Sequence, residues 1–138
     1  MRLLALDIGD ARIGVAVSNP EKTLARGLTV IRRRSKKEDF AAIARLVEEL
    51  KVEGIVVGHP LSLNGEAGPQ ARRVERYARA LAQALKIPVY LWDERFSTAE
   101  AQRAMIEAGY KKQTRRRRVD EVAAAVVLQG YLEARKTG

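Results

Sequence analysis

The hydrophobic period of this chain changes partway along, and that change limits the fold more than any other feature. Three short apolar runs come first: LLALDI at 3–8, RIGVAVS at 12–18 and RGLTVIR at 26–32. Each has the length of a strand, and the connections are short, so the chain opens as an antiparallel meander. From Phe40 the period becomes helical: Phe40, Ile43, Leu46, Val47 and Leu50 recur at the spacing of one helix face. Gly54 and the run Ile55, Val56, Val57 then return to a strand. Val74, Tyr77, Ala78, Leu81 and Leu85 mark a second helix, with Arg72, Arg76 and Arg79 on its other side. IPVYLW at 87–92 gives a fifth strand, with Pro88 near its start, where a missing N–H is tolerated. A helix over 98–108 ends at Gly109. A last helix, from about Val119, is alanine- and valine-rich almost all round and is expected to be largely buried. The order β-β-β-α-β-α-β-α-α predicts an α/β fold: a mixed sheet with helices on both faces, in a single domain over 1–138.

Charge narrows the class of partner. Lys and Arg number 26 against 17 Asp and Glu, a formal net charge of +9. A strongly basic domain usually meets a polyanion, and nucleic acid is the commonest. The bases also cluster, at Arg32–Arg34 with Lys36 and Lys37, at Arg72, Arg73, Arg76 and Arg79, and at Lys111, Lys112 and Arg115–Arg118. Four consecutive arginines repel one another and rarely pack, so Arg115, Arg116, Arg117 and Arg118 are expected in a loop that meets phosphates. Arg12, Arg72, Arg76, Lys111 and Lys112 are the other expected nucleic-acid contacts. The absence of cysteine excludes a thiol nucleophile, a zinc–thiolate cluster and disulfides. No apolar run approaches the roughly 18 residues of a membrane span, and no signal peptide is evident, so a cytoplasmic protein without membrane contact is expected.

Three acids stand where an acid is costly. Asp7 interrupts an apolar strand, Glu94 follows the fifth strand beside Asp93, and Asp120 lies in the first turn of the apolar last helix. A buried carboxylate needs a partner, a hydrogen bond or a metal. Structural explanations exist for each: Asp120 could favour the helix dipole, Glu94 could pair with Arg95 or Arg12, and Asp7 could cap the turn at Gly9. The three together, in so basic a chain, point to phosphodiester hydrolysis. Two divalent cations about 4 Å apart can activate water and neutralise the leaving oxygen, and hard cations prefer oxygen ligands. Gathered carboxylates repel one another, and bound cations relieve that repulsion.

Four segments taken in order, LALDIGDARIGVAVS at 4–18, IVVGHPLSLNGEAG at 55–68, DERFSTAEA at 93–101 and VDEVAAAVVLQGYL at 119–132, resemble the YqgF (RuvX) family of the ribonuclease H-like superfamily. The resemblance covers nearly the whole chain. It implies a ribonuclease H-like five-stranded mixed sheet in the order 3-2-1-4-5. It implies a bacterial nuclease that matures the 5′ end of pre-16S ribosomal RNA, or else a Holliday junction resolvase acting on branched DNA in recombination and repair. The family's catalytic, metal-holding acids fall on Asp7, Glu94 and Asp120, with Mg²⁺ or Mn²⁺ as cofactor and one or two ions left open. The implied partners are an rRNA precursor or branched DNA, and the small ribosomal subunit. Monomer and homodimer stay open. His59 and the pair Asp10-Ala11 depart from the family pattern at the rim of the site. In many ribonuclease H-like enzymes an acid follows the fourth strand; here that strand ends in Gly58-His59-Pro60, and the longer side chain of Glu94 is expected to make up the distance.

The supporting residues divide by role. Gly9 and Gly14 are expected to permit a turn and a close backbone approach between strands. Arg12 is expected either on substrate phosphate or on a nearby acid. HPLSLNGEAG reads as a substrate-facing loop turned at Asn64-Gly65. His59 is expected to hydrogen-bond, and Ser97 with Glu100 to form a capping box. Tyr90 and Trp92 are expected on opposite faces of their strand, at least one of them in the core. The first segment also resembles a phosphate loop of actin-like ATPases and sugar kinases. Those proteins need a second such loop and a second domain, which this length does not offer. An RNA-binding module without catalysis is the third alternative.

Overall fold

In a computed structural model, residues 1–96 and 119–137 are described. The expected helix over 98–108, the Ser97–Glu100 box and the basic positions Lys111, Lys112 and Arg115–Arg118 lie outside the described residues. The described elements are β1 (Arg2–Ile8), β2 (Arg12–Ser18), β3 (Ala25–Arg32), α1 (Lys36–Leu50), β4 (Val52–His59), α2 (Pro69–Leu85), β5 (Val89–Asp93), a 3-10 turn (Glu94–Phe96) and α3 (Val119–Thr137). The strands form one sheet in the order β3-β2-β1-β4-β5, as the resemblance implied. β1, β2 and β3 pair antiparallel, while β4 runs parallel to β1 and β5 parallel to β4. The carboxyl ends of β1, β4 and β5 therefore meet at one end of the sheet.

Local chemistry sets the connections. Gly9 N donates to Arg12 O at 2.8 Å and closes the β1–β2 turn. Ser35 caps α1, its Oγ accepting from Glu38 N at 3.1 Å. The expected fifth strand begins two residues late, at Val89, because Pro88 and Ile87 sit in the connection from α2. Tyr90 and Trp92 share one face rather than opposing each other, as residues two apart in a strand must. Both rings meet Tyr131 of α3, at centroid distances of 5.9 and 5.8 Å.

The two faces of the sheet are covered differently. Leu4, Leu6, Ile13, Val15, Ile55 and Val57 pack against α1 and α2 through Ile43, Val74, Tyr77 and Leu81. The other face carries Leu3, Ala5, Ala16 and Val56 against Ala124, Ala125, Leu128 and Leu132 of α3. Its small side chains let α3 lie close, and α3 is buried on every side from Ala124 to Gly130. Gln129 pins the helix to β3, accepting from Ala25 N at 2.9 Å and donating to Thr23 O at 3.2 Å.

Candidate active site

Asp7 lies at the carboxyl end of β1, on the face that α3 covers. Its neighbours on both sides are glycines. Gly14 is its register partner on β2, and Gly58 follows Val57, the partner of Leu6, on β4. A Cβ at Gly14 would overlap the carbonyl of Asp120 and come within 3.1 Å of Glu121 N. The close approach at Gly14 is thus helix on strand rather than the expected strand on strand, and it fixes the first turn of α3 beside Asp7. A Cβ at Gly58 would overlap Oε1 of Glu94 and lie 3.2 Å from its Cγ and Cδ. Gly58 therefore leaves a lane across β4 through which the Glu94 side chain reaches Asp7. That lane is how an acid after the fifth strand makes up the distance. The sequence carried the signal, a glycine ending a strand of branched residues, but gave Gly58 no role.

The 3-10 turn decides which acid enters the lane. Arg95 grips Asp93, with Nη2 to Oδ2 at 2.6 Å and its backbone N to Oδ1 at 2.9 Å. It ties the turn to the 60–68 loop by donating from Nη1 to Leu63 O at 3.0 Å. The pairing of Glu94 with Arg95, one of the structural explanations, is therefore replaced by Asp93–Arg95. Arg95 holds the Asp93 carboxyl below its ordinary range. Glu94 turns inward and is hydrogen-bonded to Asp7. Burial pushes the Glu94 carboxyl up to about 7, and the hydrogen bond and charge of Asp7 add to the shift. Burial also raises Asp7; the hydrogen bond with Glu94 lowers it, and the charge of Asp120 raises it. Two carboxylates in contact cannot both ionise cheaply, so one proton is shared between them.

Asp120 is near enough for its charge to act on Asp7, but its carboxylate is engaged elsewhere. Arg12 Nε donates to Asp120 Oδ2 at 2.7 Å. Of the two alternatives for Arg12, the acid is the contact seen. Among the described residues, no three acids or histidines converge as a ready-made metal cluster: Asp7 and Glu94 are joined, and Asp120 stands aside on Arg12. His59 hydrogen-bonds as expected, its Nε2 lying 2.7 Å from Glu75 Oε2. Arg72 and Arg76 are exposed on α2, which covers the opposite face, so the structure does not bring them to the acids.

A buried acid missed by sequence reasoning supplies the contrast. Asp39, 3% exposed, accepts from Arg34 N at 3.1 Å and from Tyr77 Oη at 3.4 Å, with Arg33 Nε at 4.0 Å. Donors and a cation surround it, and it pins α1 to α2. Asp7 is surrounded by other acids. An acid met by acids is relieved by a shared proton or by a cation.

Comparison with known proteins follows this geometry. The RuvX family, described as Holliday junction resolvase, matches residues 1–134. A protein of Thermoanaerobacter pseudethanolicus named "Putative pre-16S rRNA nuclease" is 45% identical over 137 residues, covering 99% of both chains. One of the same name from Moorella thermoacetica is 46% identical over 133 residues, covering 96% of this chain and 95% of its own. Among solved structures, T. thermophilus RuvC in complex with Holliday junction substrate superposes with a TM-score of 0.64 at 18% identity, covering 99% of this chain and 96% of that one. The fowlpox virus Holliday junction resolvase gives 0.58 at 15% identity, covering 97% and 99%. These two likenesses establish the ribonuclease H-like fold.

Proposed function

The chain belongs to the RuvX family, and from that premise we propose that it is a divalent-metal-dependent nuclease, processing the 5′ end of pre-16S rRNA. The feature that carries the chemistry is the Asp7–Glu94 pair, two hydrogen-bonded carboxyl groups at the end of parallel strands with the charge of Asp120 beside them. The names of the full-length relatives at 45–46% identity support the RNA assignment.

The donor set suits Mg²⁺ or Mn²⁺, since every candidate ligand is a carboxylate oxygen and the shared proton occupies a place where positive charge is favoured. Asp7, Glu94 and Asp120 would hold the ion or ions. A bound cation of this kind supplies charge neutralisation on the phosphodiester and a more acidic water. The chain's own residues do the rest. Asp7 and Glu94 give up their proton, and Gly58 keeps Glu94 in line. Gly14 and Gln129 hold α3 so that Asp120 stays beside β1. Arg12 and the bases at Lys111, Lys112 and Arg115–Arg118 would contact phosphates along the strand near the acids, Arg72 and Arg76 could meet only a strand that extends past the sheet's end, and the small ribosomal subunit would present the precursor. No helix among the described residues is long and apolar enough to cross a membrane.

A cleavage panel tests the assignment. With Mn²⁺, a 5′-extended small-subunit rRNA fragment, a single-stranded DNA of equal length and a four-way DNA junction are incubated with wild type and Asp7→Asn. Cleavage of the RNA lost in the mutant supports the proposal. Symmetrical cutting of the junction with the RNA left intact would assign the site to branched DNA instead.

A further inference from the structure

Beside the acids, the sheet brings together two arginines whose proximity no interaction within the described residues requires. Arg12 and Arg32 are register partners at the open end of the β2–β3 ladder. Residues paired in this way have Cβ atoms about 5 Å apart on one face. That face is the one carrying Asp7: Arg12 and Gly14 flank Ile13, and Ile13 lies in the core on the other side. Like charges directly opposite destabilise a ladder, so the pairing is costly unless an anion joins it. Arg12 has a partner, Asp120, and its side chain is 60% exposed. Arg32 is exposed and has no side-chain partner among the described residues.

We propose that Arg12 and Arg32 form a clamp for one phosphate of a nucleic-acid strand beside the acids, and that Asp120 holds Arg12 out of the clamp until a divalent cation draws its carboxylate away. The strand's identity rests on the nuclease reading above. Two guanidinium groups from adjacent strands meet a phosphate from two sides, and each offers parallel N–H donors in the geometry phosphate accepts. While Arg12 Nε is engaged by Asp120, one of those donors is occupied and the carboxylate repels an incoming phosphate. A cation on Asp120 removes both obstacles. The coupling is reciprocal: a phosphate that takes Arg12 leaves Asp120 free for the cation, so strand and metal bind cooperatively. The arrangement keeps metal-free protein from gripping phosphate tightly at a site where it could not cut.

A double-mutant cycle in metal-free buffer tests the clamp by binding alone. The probe is a fluorescein-labelled single-stranded RNA, titrated over a salt series with EDTA present, and a thermal melt verifies the fold of each variant. Each phosphate contact on a single strand contributes a log–log salt slope of about −0.7. Asp120→Asn frees Arg12, and the slope is expected to steepen by about 0.7 relative to wild type. Adding Arg12→Ala is expected to abolish that change. Simple loss of a negative charge would act equally in both backgrounds, so an effect of Asp120→Asn that persists without Arg12 overturns the latch. Arg32→Ala is expected to flatten the slope in the Asp120→Asn background, with Arg32→Lys between; an unchanged slope overturns the clamp. An Asp120→Asn variant that binds no RNA at any salt overturns the clamp, and a wild type that binds none even with a divalent cation present overturns the nuclease reading as well. Failure to cleave, with the cycle behaving as described, counts against the nuclease reading alone.

Discussion

Gly58→Ala separates the fold from the site within one strand. The φ of Gly58 is not positive, so alanine fits its backbone, and a glycine-to-alanine change inside a strand favours folding by up to about 1 kcal/mol. The added Cβ meets no backbone atom among its nearest neighbours. It would lie closer to Glu94 Oε1 than the 3.0 Å that real Cβ atoms essentially never breach, and it crowds Cγ and Cδ at 3.2 Å. The flexible end of Glu94 must yield, and clearing the overlap moves its carboxylate through roughly 1 Å. A displacement of that size in a catalytic constellation costs about 100-fold in rate. The assay pairs kcat/KM for Mn²⁺-dependent cleavage with Tm for wild type, Gly58→Ala and Glu94→Ala. The expected result is a Tm within a few degrees of wild type and a rate close to that of Glu94→Ala. Cleavage by Gly58→Ala within about three-fold of wild type would refute the lane and the part Glu94 plays through it.

The other predictions follow from the same geometry. Gly14→Ala should destabilise the fold by about 1–3 kcal/mol, seen as a lower Tm, because the atoms it meets are the backbone of Asp120 and Glu121; an unchanged Tm would mean that α3 does not rest on β2. The raised Glu94 carboxyl, at about 7, favours the folded state while protonated. That contribution is complete below about pH 4.5 and is lost as pH rises through about 7, at up to about 1.4 kcal/mol per pH unit. Glu94→Gln should remove this loss from denaturation curves taken across that range. Mn²⁺ must displace the shared proton, so its affinity should rise about ten-fold per pH unit below 7 and level off above; calorimetric titration showing no pH dependence would contradict a shared proton. Replacing Arg115–Arg118 with serine should flatten the salt dependence of nucleic-acid binding, and an unchanged slope would turn that segment away from the substrate.

Much of this was legible in the sequence because the signals are local or periodic. The strand and helix periods match the described elements in order, and the four family segments implied the sheet order that the structure bears out. Asp7 stood out because a single strand supplies its entire anomaly. What the sequence hid depends on which strands lie side by side. Gly58 is ordinary until β4 is placed between β1 and β5, where it becomes the opening that Glu94 crosses. The pairing of Arg12 with Arg32 depends on β2–β3 register, and Arg32 lay unremarked in a basic cluster. Asp39 was overlooked because its partners come from α2 and from the segment before α1. Tyr90 and Trp92 share a face, against expectation, because residues two apart in a strand point the same way.

The central claim is that Asp7 and Glu94 hold a catalytic cation for phosphodiester cleavage. Its most direct test is Mn²⁺-dependent cleavage of a labelled nucleic acid by wild type and Asp7→Asn at equal concentration, with binding of the same strand measured alongside. The account predicts cleavage by wild type that EDTA stops and none by Asp7→Asn, while the two proteins bind the strand within a few-fold of each other. Equal cleavage by both proteins would contradict it.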